Sequence, residues 1–170
     1  PFGACDLATI WGAVIARDEE DSIDRCLEGL TWTDGLLVVL DDRTVDNTAQ
    51  RARLRGARVV VRPFTSYAHQ RNAALDLADA DWVLFVDADE VVTPELATEV
   101  RRVVSQGTVE ISGYWIPRKN ILFGRWVRHA GWSPDHQLRL LRKQDARYRT
   151  DPSVHELVDL RGGEGYLSAP

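Results

Sequence analysis

The stretch Trp82-Val83-Leu84-Phe85-Val86-Asp87-Ala88-Asp89-Glu90 is apolar through Val86 and then turns acidic. An unbroken apolar run of this kind is the pattern of a strand covered on both faces, as strands of parallel sheets are. Its acidic end then falls at the strand's carboxyl edge, where open α/β sheets hold their ligands.

The flanking sequence extends the pattern. Upstream, Ala8 to Ala16 and Gly35 to Leu40 are apolar runs that read as strands, and Arg58 to Val61 is a third. Between them Glu20 to Leu30 places Ile23, Leu27 and Leu30 on one helical face, and Asn47 to Arg55 is a helix closed by Gly56. Tyr67 to Leu77 is the next helix. Beyond the acids, Thr93 is an N-cap and Pro94 the first residue of a helix reaching Val104. After Gln106-Gly107 the periodicity changes: Gly113 to Ile116 and Gln137 to Arg142 read as strands, and 120–134 gives only loop or hairpin signals. Alternating strands and helices with right-handed crossovers make a doubly wound α/β sheet. No repeat or linker divides the chain, so residues 1–170 are expected to form one domain.

With 170 residues, 44% hydrophobic and 28% charged, the composition fits a globular domain with a sizeable core and excludes disordered, fibrous and disulfide-stapled classes. No apolar run approaches the roughly 20 residues that cross a bilayer, and Pro1 to Ile15 lacks the basic start of a signal peptide, so a cytoplasmic location is expected. Cys5 and Cys26 have no partners at metal-ligand spacing and read as small hydrophobes. No methionine occurs, even at position 1, and the chain therefore reads as processed or trimmed.

The net charge of −5 is unevenly spread. Residues 1–116 carry 11 Lys/Arg against 20 Asp/Glu, whereas residues 117–149 carry 9 against 2. An acidic front and a basic back imply a cation site followed by an anionic partner. A solvated basic hairpin without a function is the plainer alternative.

The acids sit at strand ends: Asp18-Glu19-Glu20-Asp21 after the first, Asp41-Asp42 after the second, Asp87-Ala88-Asp89-Glu90 after the fourth. Like charges gathered on one edge repel unless a cation or proton relieves them. Mg²⁺ or Mn²⁺ completed by diphosphate oxygens suits an open acidic edge. Helix N-capping by Asp87 or Asp89 is the alternative.

Taken together, the chain resembles a family 2 glycosyltransferase of the GT-A fold. The residues that carry the resemblance are Val14-Ile15-Ala16-Arg17-Asp18-Glu19-Glu20, the run Val38 to Thr48 with Asp41-Asp42, then Gln70-Arg71-Asn72-Ala73-Ala74-Leu75, and Trp82 to Glu90 with its D-x-D triplet. Downstream, Gly131-Trp132-Ser133-Pro134-Asp135, Gln137-Leu138-Arg139-Leu140 and Val154-His155-Glu156 are similar to a subgroup that includes lipopolysaccharide core glucosyltransferases, enzymes of cell-envelope polysaccharide synthesis. The resemblance covers about residues 8–158. It implies a Rossmann-like, mostly parallel sheet flanked by helices, with residues 8–106 holding a nucleotide sugar and 107–158 forming a smaller acceptor-side β and loop region. Family members continue beyond the equivalent of His155.

The implied activity is inverting transfer of a sugar from a nucleotide-diphosphate donor, a UDP-sugar foremost, to a hydroxyl, with Mg²⁺ or Mn²⁺. Within that frame Asp89 binds the metal, while Asp87 holds the ribose or a metal-bound water and Ala88 lines the same site. Asp42 recognises the base, in a pocket lined by Ala16 and Arg17. Arg71 reaches phosphate, the alternative being a surface helix arginine. Asp135, in a loop before a strand, is the candidate base, the alternative being a turn cap after Pro134. His155 approaches the metal or diphosphate unless it is structural, and Glu156 supports the acceptor or substitutes as base. The sequence departs from the family pattern at Asp18, usually Asn, and at Arg43-Thr44, usually a small Gly-Ser pair.

Trp115, Trp126 and Trp132 stand among arginines and suit an acceptor site, since aromatic faces stack on sugar rings and arginines bind phosphate or carboxylate. Trp82 reads as packing. The acceptor is expected to be a saccharide, a lipid-linked molecule or another hydroxyl compound. The basic segment is compatible with peripheral contact at the inner face of an anionic membrane. Nucleic acid is not an expected partner, for want of any RNA-binding motif in a net acidic chain. Two rival readings remain: a module that binds nucleotide sugar without turnover, and a phosphoacceptor receiver domain. The latter needs a lysine at a later strand end, but the chain's only lysines are Lys119 and Lys143.

Overall fold

The computed structural model describes residues 8–108, 110–119, 121–122, 125–126, 135–151 and 157–170, the two short pairs by their backbone alone. The four apolar runs become β1 (Ile10–Ala16), β2 (Gly35–Asp41), β3 (Arg58–Arg62) and β4 (Trp82–Asp87). They lie parallel in the order β3-β2-β1-β4, with Val14 level with Val38 on one side and Val86 on the other. The crossovers are α1 (Ile23–Glu28), α2 (Thr48–Leu54) and α3 (Tyr67–Leu77), and α4 (Pro94–Ser105) follows β4.

The chain then enters β5 (Ile111–Arg118). The antiparallel pair β6 (Ile121–Leu122) and β7 (Arg125–Trp126) follows it. Next come β8 (Asp135–Arg142), a 3₁₀ turn at Lys143–Asp145, β9 (Ala146–Tyr148), β10 (Val158–Leu160) and β11 (Gly163–Tyr166). Strand β8 inserts antiparallel between β4 and β5, and β11 closes the far side parallel to β5, giving a seven-stranded sheet ordered β11-β5-β8-β4-β1-β2-β3. The sheet is mostly parallel, as expected, with β8 its one antiparallel strand. Strands β9 and β10 form a separate antiparallel pair packed beside α3.

Two core layers explain the unbroken apolar runs. Ile10, Val14, Leu84 and Val86 face α1, α2 and α4, while Ala13, Leu37, Val39, Val83 and Phe85 face α3 and β9. A fully buried Leu or Phe contributes about 1.5–3 kcal/mol, so both faces must be covered for these strands to persist. Gly35 is required where it stands: a Cβ there would lie 2.2 Å from the indole of its cross-strand partner Trp11.

Boundaries shift for identifiable reasons. Helix α1 starts at Ile23 rather than Glu20 because Asp18 turns the chain at φ +52°, a left-handed conformation that Asp and Asn tolerate. That requirement accounts for Asp18 at a position where the family pattern has Asn. Gly56, at φ +81°, stops α2 as expected. The Thr93 hydroxyl accepts from the Leu96 amide at 3.1 Å, the expected N-cap of α4. Among the described residues no helix is long and apolar enough to cross a membrane.

Candidate functional site

The carboxyl ends of β1, β2 and β4 bring their acids to one edge, but the three groups are used differently. After β1 the acids lace two turns together. Val45 N–H donates to Asp18 at 2.8 Å, Asn47 donates twice to Glu20 at 2.9 Å, and Glu20 N–H donates to Asp46 at 2.9 Å. Asp46 also accepts from the Thr48 amide and hydroxyl, and the Thr48 hydroxyl from Glu19 N–H. Arg17 is exposed and its Nε lies 3.4 Å from Asp18; Ala16, the last residue of β1, is buried.

At the end of β2 the buried acid is Asp41. It accepts from Arg43 Nε at 3.0 Å and from a terminal nitrogen at 2.6 Å, and Arg43 lies over the Phe64 ring at 5.5 Å. Those Arg43 hydrogen bonds hold the Asp41 carboxyl well below the ordinary carboxylate range, desolvation notwithstanding. The bulky Arg43 is therefore folded back onto Asp41. Asp42 is exposed, with its backbone amide bound to Arg62 O at 3.0 Å.

The end of β4 is the centre of the site. Arg139 on β8 is buried and meets the Asp87 carboxylate with both terminal nitrogens, one at 2.8 Å and the other in a shorter contact. Arg71 on α3 is also buried, not a surface arginine; it reaches Asp87 at 3.4 Å and stacks on the Tyr148 ring at 5.5 Å. Glu90 accepts from Arg118 at 3.2 Å, from Arg139 at 3.5 Å and from the Asp87 amide at 3.1 Å. Arg118 in turn holds Asp135, at 2.7 and 3.0 Å, and the Gln137 side chain donates to the other Asp135 oxygen at 3.0 Å. An alternating ladder of arginines and carboxylates thus runs from Arg71 to Asp135. Burial opposes ionisation of Asp87, but the Arg139 hydrogen bonds and the charges of Arg139, Arg71 and Arg118 outweigh it and hold its pKa down.

Asp135 is the first residue of β8 rather than a loop residue, because its pairing with Arg118 of β5 begins the ladder there. Ala88 is buried. Asp89 is exposed, and no described side chain engages its carboxylate. A cavity of about 680 Å³ opens beside these groups, lined by Asp87, Asp89, Glu90, Arg118, Arg139 and Ile116. Beneath it the Cys26 thiol sits 3.4 Å from Asp87 O, pushed up to about 12 by burial and then by the neighbouring carboxylates, so it stays protonated.

Among the described residues no group of three or more His, Cys, Asp or Glu is arranged to hold a metal ion on its own. The donor set still fits a hard divalent ion that brings its own oxygens, because Asp89 offers an uncommitted carboxylate at an open edge.

Trp115 is on β5; its indole N–H donates to Glu164 at 2.8 Å and its ring stacks on Tyr166, centroids 6.2 Å apart. Trp82 is core packing against Tyr114, as expected. Cys5, Trp132, His155, Glu156 and the side chain of Trp126 lie outside the described residues. Sequence reasoning missed Arg139, Arg118 and Gln137 as site residues. Period-two alternation from Asp135 covers Gln137 but not Arg139, because the pairing of β8 with β5 shifts by one residue at Arg139.

Residues 13–161 match the family model described as "Glycosyl transferase family 2". An uncharacterized glycosyltransferase of Rickettsia typhi is 33% identical over 87 residues, 51% of this chain and 30% of the relative. The lipopolysaccharide core biosynthesis glycosyltransferase LpsC of Rhizobium meliloti is 26% identical over 162 residues, 89% of this chain and 57% of its own length. Among solved structures, glucosyl-3-phosphoglycerate synthase from Mycobacterium tuberculosis in complex with Mn²⁺, UDP and phosphoglyceric acid superposes with a TM-score of 0.56 at 23% identity, covering 64% of this chain and 43% of that one. The fold is therefore shared with a glycosyltransferase. The chain spans less than two thirds of these relatives' lengths.

Proposed function

The chain belongs to glycosyl transferase family 2, and from that premise we propose that it carries the donor site of an inverting glycosyltransferase, moving a sugar from a UDP-sugar to an acceptor hydroxyl with Mg²⁺ or Mn²⁺. The observation that carries this reading is at the end of β4. There an arginine-held Asp87 and an unengaged Asp89 line a cavity of about 680 Å³, within the size range of small-molecule sites. The M. tuberculosis synthase solved with Mn²⁺ and UDP supports the choice of nucleotide and metal.

Asp89 contributes the protein's carboxylate to the metal, and Asp87, still held by Arg139, accepts from ribose or a metal-bound water. When bound, the ion supplies neutralisation of the leaving diphosphate. Asp42 reads the base in a pocket bordered by Ala16 and Arg17, and Ala88 permits close approach of the donor. Arg71 offers positive charge toward the phosphates. Asp135, oriented by Arg118 and Gln137, accepts the proton of the acceptor hydroxyl as the new bond forms. His155 near the diphosphate and Glu156 near the acceptor complete the assignment. Residues 8–106 serve the donor and 107–158, with Trp115, Trp126 and Trp132, the acceptor. The LpsC relationship supports a saccharide or lipid-linked acceptor in cell-envelope synthesis, handled in the cytoplasm or at the inner face of the membrane, with no nucleic-acid partner.

Calorimetric titration of UDP with and without Mn²⁺, beside an Asp89→Ala variant, tests this. Mn²⁺-dependent uptake of UDP that disappears in the variant is expected. No uptake of UDP, GDP or other nucleotides by the wild-type chain would overturn the reading.

A further inference from the structure

Asp87 and Glu90 have each of their oxygens occupied. Arg139 donates to both Asp87 oxygens, while Glu90 receives Arg118, Arg139 and the Asp87 amide. The Arg139 side chain is only 7% exposed, and its fork matches the carboxylate it faces, so it is not a solvated charge that drifts away. Of Asp87, Asp89 and Glu90, only Asp89 keeps its carboxylate uncommitted to a described side chain. One carboxylate is a poor ligand set for an ion that takes about six oxygens.

We propose that Arg139 is the internal counter-ion of this edge, a positioning residue that keeps Asp87 and Glu90 from a divalent ion, so that the ion is held only together with a nucleoside diphosphate. The proposal rests on the donor-site reading above. With Arg139 in place the edge is already neutralised and the remaining ligands come from the diphosphate. Without it Asp87 keeps only Arg71, at 3.4 Å, and Glu90 keeps Arg118 and the Asp87 amide, so the edge carries one more uncompensated negative charge, which a metal ion at Asp89 relieves directly. Removing this residue therefore tightens metal binding, whereas loss of a merely structural residue would weaken it.

The test is titration of Mn²⁺ into the protein with and without saturating UDP, following free Mn²⁺ by its paramagnetic resonance signal. The wild-type chain should bind Mn²⁺ alone weakly and at least tenfold more tightly with UDP, with UDP gaining the same factor from Mn²⁺, as reciprocity requires. Arg139→Met should bind Mn²⁺ alone at least tenfold more tightly than wild type and lose most of the coupling to UDP. Arg139→Lys, which keeps the charge but not the two-pronged grip, should give a smaller gain in the same direction; it carries the test if Arg139→Met does not fold. Unchanged or weaker Mn²⁺ binding in the folded variants, beside a wild type that takes up UDP with Mn²⁺, overturns the role of Arg139 alone. A wild type that takes up no UDP overturns the donor-site reading and this proposal with it.

Discussion

Asn72 on α3 fastens β9, and its removal has a calculable cost. Its side-chain amide donates to Tyr148 O and accepts from Tyr148 N–H, both at 2.9 Å, in a place that no strand fills. Asn72 is 7% exposed and Tyr148 3%, so water does not stand in when the amide is lost. Asn72→Ala removes both of these hydrogen bonds from buried backbone groups, at about 1–3 kcal/mol each, and a loss of about 3 kcal/mol is expected. For a chain of this size that lowers Tm by roughly 6–12 °C. Urea unfolding should show a lower midpoint with an unchanged slope. Amide exchange at Tyr148 should lose its protection. Asn72→Asp keeps the acceptor but loses the donor and buries a charge, so it should be no better than alanine. A stability change under about 0.5 kcal/mol, with Tyr148 still protected, would refute the claim that this amide docks β9 on α3.

Two further outcomes follow from the site and its surrounding turns. Burial opposes ionisation of Asp46, but the Thr48 hydroxyl and the amides of Thr48 and Glu20 outweigh it and lower its pKa. A carboxyl depressed in the folded state contributes stability that is complete above its unfolded value near 4 and is lost as pH falls through the lower folded value. Stability should therefore decline on acidification below about pH 5, and Asp46→Asn should flatten that decline; a variant with the parent's slope would remove Asp46 from the account. Asp135→Asn should lower turnover by about 10²–10⁴-fold while UDP affinity with Mn²⁺ stays unchanged. Unchanged turnover would remove Asp135 as the base, and a wild type that binds UDP but turns over no donor would favour a binding module.

Much of the fold was legible because its signals are local. Helix α3 runs from Tyr67 to Leu77 as expected, and the Thr93 cap, the Pro94 start and the Gly56 stop each act through neighbours a few residues away. The strands β1, β2 and β4 needed only continuous apolar runs, since both of their faces are covered, while β3 is a more exposed edge. The insertion of β8 beside β4 was not legible, because an antiparallel strand in that position depends on pairing across more than fifty residues. The start of β8 at Asp135 was missed for the same reason: a strand end set by Arg118 has no local mark.

The site was legible as a place but not as a balance of charges. Acids at strand ends located the edge correctly, and their repulsion was expected to be relieved by a metal. In the fold much of that relief comes from the basic segment itself: Arg118 returns to Glu90, Arg139 to Asp87 and Arg147 to Asp76. The acidic front and the basic back, read from composition as two surfaces with different partners, are thus in part each other's partners. Residues separated by 28 to 71 positions cannot be matched by counting charges. Alternation on β8 does not supply the match either, because a bulge at Arg139 breaks it: Leu138 packs against one core layer and Leu140 against the other. On the proposed reading, a buried arginine bound to the first acid of the D-x-D triplet divides the work of its two carboxylates. Its first carboxylate is held in place by the protein, and the second, Asp89, is left to be answered from outside.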